Sequence, residues 1–375
     1  MTSIHELEAE PFELEPEAND ELEPESYDEL ELDELEYDEL ETTARPVART
    51  PLPWGKPVRL ADGVVQRTHP KLGWVWSVPR AKLPSTLREL QEEIVDRAGR
   101  TPPPDERVVV KDTTAIPYRW ICRIELNFGP DPTTPGSDIV THGTGLLISP
   151  RHVLTAGHCL HFDFPGAAGR ALRAARIVPG YNCLTKTGEP LGAARGTRFQ
   201  PHARWRDHRD DGFDYGLITL GAAIGDSTPK ALGGKKLGYW GSPTDGAGTR
   251  INPTTADLTN FPIHTAGYPG DFCCMRPTAA APCPRERRGT AQFRAFARVT
   301  DPAPAAAPRL IFYDADSMGG QSGSPVWYVY KELRNVIAVH SGPAFPFDAA
   351  QRGRANCGVR ITEDVMTQVR AWMRD

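Results

Sequence analysis

Gly319-Gly320-Gln321-Ser322-Gly323-Ser324-Pro325 is the most informative stretch of this chain. Glycines on both sides of Ser322 let the backbone turn tightly, so that the N–H groups of Gly320 and Ser322 can converge on a developing oxyanion. Read alone, the string is a Gly/Ser loop. It departs from the nucleophile elbow G-x-S-x-G, because Ser324 stands at the last glycine, and this argues against an α/β-hydrolase. Two upstream strings add chemistry. Leu154-Thr155-Ala156-Gly157-His158-Cys159 puts a histidine at the end of an apolar strand. Asp211-Gly212-Phe213-Asp214-Tyr215-Gly216-Leu217-Ile218 puts a carboxylate at the mouth of a strand that reads as buried, where it needs a partner such as a histidine N–H.

The surroundings of these strings are β-prone. Val108–Val110, Trp120–Leu126, Gly145–Ile148, His152–Thr155, Tyr215–Leu220 and Val336–Val339 are short apolar runs separated by Gly, Pro and Asp clusters. This is the pattern of an antiparallel sandwich or barrel. With Gly 34 and Pro 36 in 375 residues, a helical bundle is disfavoured. The C-terminus differs: Thr362 can cap a helix over 363–374, with Glu363 and Asp364 in its first turn and Val365, Val369 and Trp372 on its buried face.

A net charge of −6 hides an extreme split. Residues 1–42 hold 19 of the 49 acids and none of the 43 bases, in a repeated Glu-Leu-Glu unit, which leaves the rest of the chain at about +13. Such a leader is too charged to fold alone and is expected to be disordered. Residues 43–105 turn to Pro, Arg and Trp and read as a linker or pro-segment that docks on the next domain. It contains one helix, begun by a Thr86/Glu89 capping box and ended at Gly99. Seven cysteines suit two or three disulfides in an oxidising compartment, while Cys273-Cys274 and Cys283 lack the paired spacing of a zinc site, so no metal and no cofactor is expected. No run of 18 apolar residues exists, and the N-terminus lacks the basic and apolar regions of a secretory signal.

Chain order adds a constraint, since His158, Asp214 and Ser322 follow the chymotrypsin order rather than that of subtilisin or the α/β-hydrolases. Over roughly 105–375 the chain resembles chymotrypsin-fold serine proteases, and within them the bacterial glutamyl endopeptidases. The resemblance rests on Asp112–Arg119, Gly143–Ile148, Thr155–Cys159, Thr265–Asp271, Tyr313–Asp316 leading into Gly319–Pro325, and Val339-His340. It implies an all-β, chymotrypsin-like double barrel, the first about 107–225 and the second about 226–360, closed by the C-terminal helix. It also implies a serine endopeptidase in which Ser322 attacks, His158 carries the proton, Asp214 orients the imidazole, and the N–H groups of Gly320 and Ser322 form the oxyanion hole. Phe272–Arg288 and the acidic leader have no counterpart in the family pattern. Gln321 stands where trypsin-like enzymes keep the Asp that receives a new N-terminus, so that activation switch is absent.

For specificity, His340 resembles the histidine that glutamyl endopeptidases place in the S1 pocket, with Ser317 as helper, and cleavage after Glu or Asp is expected. Asp316 stands at the offset where trypsin-like enzymes keep the acid that receives Arg or Lys. The Glu reading therefore requires it to point away or be paired. The alternatives are an Arg/Lys-specific protease and a catalytically silent double-barrel binding module. His142, His161, His202 and His208 are expected on loops without catalytic roles. Expected partners are protein or peptide substrates, with no nucleic acid, no membrane and a monomeric state. The leader is expected to act as an intramolecular inhibitor, removed at a site such as Glu106. An extracellular location, reached without a recognisable signal peptide, completes the reading.

Overall fold

Phe293–Asp301 is built on a period of two: Phe293, Ala295, Ala297 and Val299 are buried, whereas Arg294, Phe296, Arg298 and Thr300 are exposed. That alternation marks a strand with one face on a core. The computed structural model describes residues 105–375 except 165–166, 184, 186–187, 243–247, 254–257, 272–288, 331 and 345–354, together with 56–59, 65–69 and 73–79. All of these belong to one unit, Arg49–Asp375. The acidic leader and the helix expected after Thr86 lie outside the described residues.

Six strands close the first barrel: β1 (Ile121–Pro130), β2 (Ser137–Ser149), β3 (His152–Thr155), β4 (Ala174–Pro179), β5 (Ala194–Pro201) and β6 (Gly216–Leu220). Their ring order is β2-β1-β4-β5-β6-β3, with β3 returning to β2. The second barrel uses β7 (Pro262–Gly267), β8 (Phe293–Asp301), β9 (Leu310–Tyr313), β10 (Pro325–Tyr330), β11 (Leu333–Pro343) and β12 (Asn356–Arg360). Its order is β11-β10-β7-β8-β9-β12, closed by β12 on β11. Every pairing within both rings is antiparallel. The double barrel is therefore the fold, as the resemblance implies, and closure leaves neither ring with an unpaired edge.

Three features add detail to the sequence reading. Val58–Arg59, Val65–His69 and Gly73–Pro79 are strands, and the last pairs with β2 in the register Trp76↔Val140, so part of the supposed linker extends the first barrel's sheet. On β1, Arg123 and Glu125 are as buried as their apolar neighbours. Arg123 donates Nη1–H to Glu125 at 2.9 Å and Nε–H to the Gly289 carbonyl at 2.9 Å. The helix Glu363–Arg374 has the expected bounds and buries Val365, Met366 and Val369, with Trp372 packed 5.7 Å from Tyr215. Thr362 occupies its N-cap, but the hydroxyl donates to the Asp364 carboxylate and makes no cap bond to a backbone N–H.

Candidate active site

β3 ends at Thr155, Ala156 stays extended, and the 3-10 turn Gly157–Cys159 carries His158 into the interior. Glycine is required before it, since a side chain at Gly157 would meet the Trp205 ring at 2.9 Å. Opposite, the 3-10 turn Asp211–Phe213, capped by the Asp210 side chain, sets Asp214 at the entry to β6. Both residues are fully buried. The His158 backbone N–H donates to Asp214 Oδ1 at 2.7 Å, and the ring Nδ1–H donates to Oδ2 at 2.7 Å. Ser341 on β11 adds a third donor, its hydroxyl bonding Oδ2. This pairing makes Nδ1 a donor and leaves Nε2 as the ring nitrogen not engaged by the carboxylate. Among the described residues nothing hydrogen-bonds Nε2, which is buried.

Ser322 is positioned by its backbone. Gln321 N–H donates to Met318 O at 3.1 Å and Ser324 N–H to Gln321 O at 2.9 Å, while the Gln321 side chain accepts from Met318 N–H at 2.9 Å. β11 grips the far side through Gly323 N–H to His340 O and His340 N–H to Ser324 O. The first barrel reaches across: Thr144 N–H donates to Ser322 O, and the Thr144 hydroxyl donates to Gly320 O, both at 2.8 Å. Gly320 sits at φ 97° and Gly323 at φ 89°, a region open only to glycine. Among the described residues nothing accepts from the Gly320 N–H.

His340 is buried on β11, and burial lowers its pKa to about 3, which keeps it neutral alone. Its Nδ1 lies 2.6 Å from the Tyr313 hydroxyl, which in turn donates to Cys357 O at 3.2 Å. Ser317 is buried one residue from Asp316. Asp316 accepts the Glu106 backbone N–H at 2.8 Å, and desolvation pushes its carboxyl above the usual range.

No family model matches the chain. A glutamyl endopeptidase of Bacillus licheniformis is 28% identical over 273 residues, covering 72% of this chain and 67% of that protein. A Bacillus subtilis protein named extracellular metalloprotease is 26% identical over 269 residues, covering 72% and 68%. Among solved structures, a Glu endopeptidase in complex with MPD superposes with a TM-score of 0.52 at 23% identity, covering 73% of this chain and 99% of its own. The chain has the chymotrypsin-like double-barrel fold, and the relatives it is similar to are named as proteases. Among its described residues no group of three or more His, Cys, Asp or Glu could hold a metal.

The sequence-derived residues fall into two sets. His158 and Asp214 are joined directly, and Ser322 meets the first barrel through the Thr144 bond to its carbonyl. His340 is electrostatically coupled to both His158 and Asp214, whereas Asp316 is engaged with the segment at Glu106. The expectation that the remaining histidines lie on loops is corrected. His142 is on β2, fully buried, donating Nε2–H to Tyr268 O at 3.0 Å directly behind Gly320. His161 lies on a short strand, and His202 caps the helix Ala203–His208 that ends in His208. Ser341, Thr144 and Tyr313 were not found from spacing, because each acts through a partner distant in sequence. Thr144 and Tyr313 lie within strings that carry the resemblance and Ser341 directly follows His340, but none of these positions by itself names a partner. Cys183 is disulfide-bonded, and Cys122 and Cys159 are buried thiols.

Proposed function

We propose that the chain is a serine endopeptidase that cleaves after Glu, and more slowly after Asp, with Ser322 as nucleophile. The observation that carries the mechanism is the fully buried His158–Asp214 pair, closed by three donors on one carboxylate. A scissile carbonyl bound beside Ser322 completes the arrangement. Ser322 Oγ attacks, and its proton passes to His158 Nε2. Asp214 stabilises the resulting imidazolium through Nδ1–H, and the proton then goes to the leaving amine. Water repeats the sequence on the acyl-enzyme. The N–H groups of Gly320 and Ser322 receive the oxyanion, an effect of about 3–4 kcal/mol per donor in comparable sites.

The Glu preference is supported by hydrogen-bond bookkeeping at His340. An imidazolium there could donate Nε2–H to a substrate carboxylate and Nδ1–H to Tyr313 Oη, while the Tyr313 hydroxyl donates to Cys357 O, leaving no donor unmet. Burial opposes this charge until a carboxylate arrives, so the pocket favours an acid as its counter-ion. Ser317 is proposed to assist as a further donor. Asp316 already accepts the Glu106 backbone N–H, which weighs against its receiving a cationic side chain and so against the Arg/Lys alternative. An extracellular setting is proposed from the disulfide at Cys183 and the extracellular relative.

The test is a peptide panel varied only at the residue before the cleaved bond. Glu should be cut fastest, and His340→Ala should lower kcat/KM on Glu far more than on other residues. A preference for Arg or Lys, lost in Asp316→Ala, would overturn the specificity assignment.

A further inference from the structure

The polar cluster at Arg107 is used by none of the chemistry above, yet it is built with care. Val108–Val109 pairs antiparallel with β8 at Phe293–Arg294, and this delivers Arg107 into the protein, where only 5% of it remains exposed. Its guanidinium grips Asp271 with two parallel bonds, Nη1–H to Oδ1 at 3.0 Å and Nη2–H to Oδ2 at 2.6 Å. Asp105 takes the other side, through Nε–H and Nη2–H at 3.1 Å each. Such forked pairs fix orientation as well as charge.

Asp271 directly follows Gly270, and the Gly270 N–H donates to the Gly319 carbonyl at 2.8 Å. Gly319 and Gly320 share one trans peptide unit, in which C=O and N–H point in opposite directions. Holding the Gly319 oxygen on Gly270 therefore turns the Gly320 N–H the other way. The adjoining peptide is held separately, by the Thr144 hydroxyl on Gly320 O. One anchor of the oxyanion loop thus comes from the first barrel, and the other depends on the Gly270-Asp271 turn. The same N-terminal segment also touches the loop's approach, through Glu106 N–H on Asp316.

We propose that Arg107 is a positioning residue for the oxyanion hole: by clamping Asp271 it keeps the Gly270 N–H on the Gly319 carbonyl and so aims the Gly320 N–H at the reacting carbonyl. This rests on the catalytic roles proposed for Ser322 and Gly320. An oxyanion donor matters in the transition state and little in substrate binding, so loss of the clamp acts on kcat rather than KM.

The test uses the full chain with Arg107→Ala and Arg107→Lys, a peptide substrate, and a peptide boronic acid that forms a tetrahedral adduct on the nucleophile. In Arg107→Ala, kcat should fall by about 10- to 100-fold, less than complete loss of a donor, with KM within about 2-fold. Boronate affinity should fall in parallel with kcat, and Arg107→Lys should recover part of both. An unchanged kcat, a change in KM alone, or a kcat loss without weaker boronate binding overturns the proposal. Should Arg107→Ala fail to fold, Asp271→Asn must give the same pattern, and a normal kcat there is equally fatal. A wild-type chain that neither cleaves peptides nor binds the boronate overturns the proposed function and this proposal with it.

Discussion

The two barrels contribute to the site in different ways. The first supplies His158 and Asp214 from adjoining strands, locked by two 2.7 Å bonds within that barrel. The second supplies Ser322 on a loop whose shape depends on groups outside the loop: Thr144 from the first barrel, and the Gly270-Asp271 turn gripped by Arg107. In the proposed mechanism, proton transfer therefore rests on a self-contained pair, and the nucleophile on a loop held from several directions. Ser341 is the exception, since it comes from the second barrel to fix the first barrel's carboxylate.

A graded series of substitutions would break or sharpen that contrast. Ser322→Ala and His158→Ala should each lower kcat by about 10⁶, because the members act as a unit. Asp214→Asn should cost about 10⁴, since the amide favours the wrong imidazole tautomer. Ser341→Ala, which removes one of three donors and leaves both His158 bonds, should cost less than either. Steady-state kinetics on one Glu peptide checks the ranking. A Ser341→Ala defect as deep as that of Asp214→Asn would mean that the pair is not self-contained.

A smaller effect compares one histidine from each barrel. Burial lowers His142 on β2 and His340 on β11 to about 3. Each is neutral when folded and takes up a proton on unfolding below about pH 6.5. Their unfavourable contribution is thus absent above that pH and grows as the pH falls toward about 3, by about 1.4 kcal/mol per pH unit for each. Urea unfolding at pH 7 and pH 5 should show this loss of stability, and His142→Asn and His340→Asn should each reduce it by a similar amount. A pH dependence unaltered by either substitution would show that these rings are not held neutral.

What the sequence revealed depended on how locally each feature is encoded. His158 could be found because an apolar strand and a glycine flank it, and Ser322 because its glycines are adjacent. Short runs between turn residues narrowed the fold to a sandwich or barrel, and the double barrel followed from the resemblance carried by the strings around His158, Asp214 and Ser322. The strand at Gly73–Pro79 was obscured by Pro- and Arg-rich surroundings, although Trp74-Val75-Trp76-Ser77-Val78 is β-prone and only its pairing with β2 gives it a place. The Arg107–Asp271 clamp joins residues 164 positions apart, and no spacing rule connects them. His142 reads as an ordinary polar residue until the fold packs it behind Gly320.

The most direct test of the account is fluorophosphonate labelling of the full chain, followed by peptide mapping. The account predicts a single adduct on Ser322, formed at a rate that collapses in His158→Ala, because the base on the first barrel activates the nucleophile on the second. Absence of an adduct, or labelling of a different serine, would contradict it and leave the double barrel as a binding module.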